Sequence, residues 1–150
     1  MPQSLAKIYL HLIFSTKNRA PTLAEPVRES LHAYTATVLK NLGCHAVLVN
    51  SVEDHIHILF ELARTVTVSA VVEEVKTASS KWLKTQPGIK PGFAWQSGYG
   101  VFSVSASNLA TVKKYVAEQQ EHHKKRSFQD ELRVLLKKHG ITFDERYLWD

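Results

Sequence analysis

The sequence predicts an α+β fold: a ferredoxin-like β-α-β-β-α-β core with an antiparallel sheet, followed by a further helix and a helical tail. Three observations carry this. Stretches of strand length, rich in β-branched and aromatic residues, recur at 7–16, 44–52, 55–62 and 93–105. Two intervening segments, 25–41 and about 67–84, instead repeat apolar residues at helical spacing. Between the second and third strands lie only Glu53 and Asp54, the length of a hairpin turn. This order is that of the split β-α-β arrangement. It implies helices on one face of the sheet and leaves the other face open.

Each element has a local reason. Residues 7–16 (KIYLHLIFST) read as the first strand, with His11 inside it, and Lys17-Asn18-Arg19 follows as a polar, basic turn. Pro21 and Pro26 bracket the approach to the first helix, on which Val27, Leu31, Tyr34 and Val38 recur. Gly43 sits where a helix C-terminal glycine belongs. The second strand begins at Cys44, read as a small buried residue rather than a ligand. Thr67 or Ser69 caps the second helix, which carries Val71, Val72, Val75, Ala78 and Trp82 on one side and Lys76, Lys81 and Lys84 on its surface. The Pro-Gly pairs at 87–88 and 91–92 mark loop. In the aromatic stretch 93–105, Gly98 and Gly100 suggest a bulge or a close backbone approach. Ser105 or Ser107 caps a helix from 108 to about 125, and another helix spans 127–138 before Gly140. The aromatic tail 143–150 has the character of a docking segment, for its own domain or for a second subunit.

A chain of 150 residues with 44% hydrophobic and 22% charged content is expected to form one domain. The core covers about 5–105, the helix bearing Tyr115 about 107–125, and the C-terminal helix and tail 127–150. The formal charge of +5 and pI near 9.4 suit a polyanionic partner. One cysteine excludes an intrachain disulfide framework. No apolar run approaches the roughly 20 residues of a membrane span, and no signal-peptide pattern opens the chain. The expectation is a soluble, cytoplasmic protein without a membrane partner.

The third strand opens Asp54-His55-Ile56-His57. Residues i and i+2 of a strand share a face, so His55 and His57 present two imidazoles side by side, half of a metal site. Asp54 is expected to shape the turn or support one of them. On the later helix, Tyr115 and Gln119 are four apart and share a face, with His122 close to it. Taken with the histidines, they read as a nucleophile and a third metal ligand. A phenol is a weak nucleophile at neutral pH. Phosphodiester cleavage through it needs in-line positioning and a cation at the phosphate. Imidazole and amide donors with open positions suit Mg²⁺ or Mn²⁺, the imidazoles tilting affinity toward Mn²⁺.

These residues give the chain a specific resemblance. It resembles the single-tyrosine HUH transposases, the small insertion-sequence enzymes and their relatives at repetitive extragenic palindromes. The match rests on Asp54-His55-Ile56-His57, Tyr115-Val116-Ala117-Glu118-Gln119, Glu121-His122-His123-Lys124-Lys125 with Ser127-Phe128-Gln129-Asp130-Glu131-Leu132, Ser15-Thr16-Lys17-Asn18-Arg19, and Asp144-Glu145-Arg146-Tyr147. The resemblance implies a ferredoxin-like core, a homodimer, and metal-dependent transposition of single-stranded DNA with hairpin ends through a 5′-phosphotyrosine. It implies Tyr115 as nucleophile, His55, His57 and Gln119 as metal ligands, and a site completed either in cis or in trans. Lys17, Arg19, Lys76 and Lys81 are candidate DNA phosphate contacts. The competing expectations are a domesticated HUH endonuclease acting on host palindromes, a replication initiator, an inactive hairpin-binding relative, and an RNA-recognition sheet. The last would stack bases on exposed aromatics of central strands, where this chain places histidines.

Overall fold

The computed structural model describes residues 2–150. Its elements are β1 (Tyr9–Ser15), α1 (Glu25–Asn41), β2 (His45–Ser51), β3 (His55–Glu61), α2 (Val68–Leu83), β4 (Gly100–Val104), α3 (Leu109–Ala117), α4 (Gln119–Lys125) and α5 (Phe128–Lys138). The strands form one sheet in the order β2-β3-β1-β4, with every neighbouring pair antiparallel. This is the ferredoxin-like arrangement that the element order implies.

Alternation along the central strands builds the main core. Leu10, Leu12 and Phe14 of β1 and Ile56, Ile58 and Phe60 of β3 face α1 and α2, where they meet Leu31, Leu39, Val71 and Val75. The expected local signals are in place. Gly43 has φ +81° after α1, the Thr67 hydroxyl accepts from Ala70 N–H at 3.1 Å, and Val52 N–H donates to the His55 carbonyl at 3.1 Å across the hairpin turn. Phe14 has no exposed surface and packs edge-on against Trp95. Phe14→Ala is therefore expected to cost about 3–5 kcal/mol of stability, read as a lower urea midpoint. A loss under about 1 kcal/mol would contradict this packing.

The second face of the sheet is not open. Phe128, Leu132 and Leu136 of α5 recur every four residues, and this stripe packs on Ile13 of β1 and Phe102 of β4. With α3 against β2 and β3, the C-terminal helices cover the face that bears the histidines. The helix expected over 108–125 is also two helices. Glu118, at φ −96° and ψ 23°, separates α3 from α4. Asn50 of β2 explains the break: its amide donates to the carbonyls of Val116 at 2.9 Å and Ala117 at 3.3 Å, satisfying the end of α3. Neither Ser105 nor Ser107 caps α3; a 3₁₀ turn at Ala106–Asn108 leads into it instead.

The fourth strand is shorter than its sequence suggests. Residues 93–99 are loop, joined to β1 by the isolated bridge between Thr16 and Trp95. The Lys76 ammonium takes the carbonyls of Gln96 at 2.6 Å, Ser97 at 3.2 Å and Gly98 at 2.6 Å, so these groups do not enter a ladder. Gly100 is a site of close approach. A Cβ there would lie 2.9 Å from Leu132 Cδ1. The aromatic tail docks on its own chain, with Trp149 near Phe128 and beside the guanidinium groups of Arg19 and Arg133. Among the described residues, no helix is long and apolar enough to cross a membrane.

Candidate active site

His55 and His57 are both completely buried on the face of β3 that meets the C-terminal helices. Each ring is held by its Nδ1. His55 Nδ1 lies 2.7 Å from Asp54 Oδ1, and His57 Nδ1 lies 2.7 Å from His11 Nε2. Asp54 thus supports a histidine as well as shaping the turn, and β1 brings in His11. These contacts on Nδ1 leave each Nε2 aimed at the interior, the nitrogen through which an imidazole held by its Nδ1 binds metal.

Three further side chains close on these two nitrogens. Gln119, at the start of α4, places Oε1 3.3 Å from His55 Nε2. Glu131 of α5 places Oε1 2.9 Å from His57 Nε2 and Oε2 3.4 Å from His55 Nε2. The Tyr115 hydroxyl donates to Glu131 Oε1 at 2.5 Å. The break after α3 does not separate Tyr115 from Gln119, whose amide donates to the Tyr115 carbonyl at 3.4 Å. His122 lies over the Tyr115 ring, with centroids 4.6 Å apart. His123 lies beside His55, with ring centroids 5.5 Å apart, and its Nε2 meets Glu53 Oε1 at 3.0 Å; its ring nitrogens, Asp54 and His55 form a second group whose ligand atoms lie within 4.8 Å of one another.

Glu131 is the residue that sequence reasoning missed. Its signal lay in the pattern of α5: position 131 falls inside the apolar stripe 128, 132, 136, where an acid is costly to bury unless it serves a partner. Asn50, which ends α3, and His11, which holds His57, were equally unassigned.

Electrostatics sort the site into charged and neutral members. Burial opposes a charge on His55, but Asp54 and Glu131 outweigh it and raise its pKa from 6.5 to about 9. Burial keeps His57 neutral and lowers its pKa. Burial and the neighbouring His57 lower His11 to about 3. Glu131 is held ionised against the effect of its burial by the two histidines. Burial and the Glu131 charge push the Tyr115 phenol upward, so it stays protonated.

The arrangement fits a divalent cation. His57 Nε2 and Glu131 Oε2 are buried without a properly aligned hydrogen bond, though each has a polar atom close by. Nitrogen and oxygen atoms of His55, His57 and Glu131 all lie within 4.8 Å of one another. A metal would take the His55 Nε2 lone pair, which carries a proton below about pH 9 in the metal-free protein. Binding therefore releases one proton. Apparent Mn²⁺ affinity is expected to rise about tenfold per pH unit toward pH 9 and to level above it. A flat profile between pH 7 and 9 would contradict this.

The four candidate DNA-contact residues are dispersed. Lys17 is exposed in the turn after β1, which abuts the Asp54 turn through the Thr16 N–H to Asp54 carbonyl bond of 2.9 Å. Arg19, in the same turn, packs over Trp149. The Lys76 ammonium donates to three carbonyls of the 96–98 loop and lies 5.0 Å from the Phe14 ring, so it holds that loop. Burial lowers its pKa to about 8. Lys81 is exposed on α2, against the face of the sheet away from the histidines. The structure adds basic groups that the sequence did not single out. A cavity of about 260 Å³ beside Tyr115 is bordered by Phe102, Arg126, Lys138 and His139.

The family described as IS200-like transposases matches residues 4–119. The ISDra2 transposase TnpA of Deinococcus radiodurans is 24% identical over 116 residues, covering 74% of this chain and 83% of that protein. A crystal structure from Deinococcus radiodurans R1, described as a transposase, superposes with a TM-score of 0.61 at 24% identity, over 79% of this chain and 98% of the other. The REP-associated tyrosine transposase bound to a REP hairpin superposes with a TM-score of 0.60 at 13% identity, over 82% of this chain and 73% of the other.

Proposed function

The chain belongs to the IS200-like transposase family, and from that membership we propose that it cuts and rejoins single-stranded DNA with hairpin ends through a 5′-phosphotyrosine on Tyr115. The observation that supports this most is the convergence, within one chain, of the Tyr115 hydroxyl with His55 Nε2, His57 Nε2 and Gln119 Oε1 around a buried carboxylate. A Mg²⁺ or Mn²⁺ ion held by His55, His57 and Gln119 would polarise the scissile phosphate and offset charge on the leaving oxygen.

The chain's own groups do the rest. Asp54 and His11 hold the two imidazoles by their Nδ1 atoms, and Asn50 fixes the end of α3 two residues beyond Tyr115. Tyr115 Oη attacks the phosphorus, its bond to P forms, the P–O3′ bond breaks, and the departing 3′-oxygen takes a proton from solvent to end as a 3′-hydroxyl. The phenol proton leaves on the side of Glu131 Oε1, the acceptor already bonded to it. In the second step a 3′-hydroxyl of another strand attacks the same phosphorus and restores the phenol. The cavity beside Tyr115 supplies an aromatic wall and cationic groups for the nucleotide next to the scissile bond. Lys17 and Arg19 extend positive charge to the His55 end of the sheet. The resemblance to the family supports a homodimer as the working unit.

The test uses hairpin-bearing single-stranded DNA from the flanks of the protein's own gene, with Mn²⁺, on a denaturing gel. A 3′-labelled strand should remain on the protein and a 5′-labelled strand should not. The opposite polarity, or free cleaved ends with no adduct, would overturn the proposal.

A further inference from the structure

We propose that Glu131 is a fourth protein ligand of the metal and the group that ties the metal to the nucleophile, one carboxylate serving both. This rests on the reading of His55, His57 and Gln119 as a metal site and adds a residue from a different helix to it.

Three observations carry the inference. The first is position: among the described residues Glu131 is the carboxylate that reaches both Nε2 atoms, with Oε1 2.9 Å from His57 and Oε2 3.4 Å from His55. The second is charge. Two imidazoles and an amide are neutral donors, and the Asp54 carboxylate stands behind the His55 ring on Nδ1, so a divalent ion buried among them would have no anionic donor of its own. Glu131, 1% exposed, supplies one in the same enclosed space, and a carboxylate is a donor that Mg²⁺ and Mn²⁺ favour. The third is the link to chemistry. The oxygen nearest His57 also accepts the Tyr115 hydroxyl at 2.5 Å, so the ion's position and the phenol's position are set by one side chain. Phe128, Leu132 and Leu136 anchor α5 on the sheet and hold this carboxylate in register.

The same contacts allow an opposite role, in which Glu131 plugs the histidine pair and must leave before a metal enters. Mn²⁺ titration by electron paramagnetic resonance separates the two on the full chain without DNA. As a ligand, Glu131→Ala weakens Mn²⁺ binding by about tenfold or more, with Glu131→Gln intermediate because it keeps an oxygen donor without the charge. As a plug, both variants bind Mn²⁺ equally or more tightly than wild type, and the proposal falls. Circular dichroism checks that each variant is folded. Crystals of the wild-type protein soaked in Mn²⁺ give an answer independent of the variants. Anomalous density within bonding distance of a Glu131 oxygen supports the proposal, and density on the histidines with Glu131 turned away overturns it. Wild-type protein that binds no Mn²⁺ at all would sink the whole metal reading, whereas a site that needs His57 but ignores Glu131 would sink this inference alone.

Discussion

Tyr115→Phe is expected to lower strand cleavage and covalent adduct by about three orders of magnitude or more, while hairpin binding stays within a few-fold of wild type. The substitution removes one oxygen and keeps the ring, so the tilted ring contact with His122 and the path of α3 persist. What is lost beyond the nucleophile is one hydrogen bond to Glu131, whose carboxylate still lies between His55 and His57. The stability change should therefore be about 1–2 kcal/mol at most. Cleavage assays and a DNA-binding isotherm on the same preparation read both effects. Loss of binding together with cleavage would mark Tyr115 as a packing residue.

His57→Ala is the second large effect expected: metal-dependent cleavage falls to background and Mn²⁺ binding weakens strongly. His57 is fully buried and contributes the Nε2 that faces Glu131. Its removal also leaves His11 Nε2 and Glu131 Oε1 short of a neighbour in the interior, so some destabilisation accompanies it. Cleavage must be measured below the variant's own melting temperature for that reason. Full activity of a folded His57→Ala protein would remove the histidine pair from the mechanism.

The strands and the histidine pair were legible because period-two alternation needs no knowledge of the partner strand: Ile56, Ile58 and Phe60 inward on one side force His55 and His57 to the other. The caps at Gly43 and Thr67 were legible because their cause is local. What escaped depends on contacts made across the sheet. The single helix read over 108–125 divides because Asn50, more than sixty residues earlier, takes the carbonyls at its middle. The long strand read over 93–105 shortens because Lys76 competes for its carbonyls. The second face of the sheet is covered because the α5 stripe finds Ile13 and Phe102, and Glu131 enters the site as a consequence. Gly100 shows both sides: a close approach was readable from a glycine within a strand, but not that the approaching atom belongs to Leu132.

The most direct test of the account is to locate the DNA on the protein. After reaction with hairpin-bearing single-stranded DNA and Mn²⁺, nuclease and protease digestion followed by mass spectrometry should find a 5′-linked nucleotide phosphate on the peptide containing Tyr115, and on that residue within it. A nucleotide on another side chain, or strand cleavage that leaves no protein-bound nucleotide, would contradict the assignment of Tyr115 as the nucleophile of this chain.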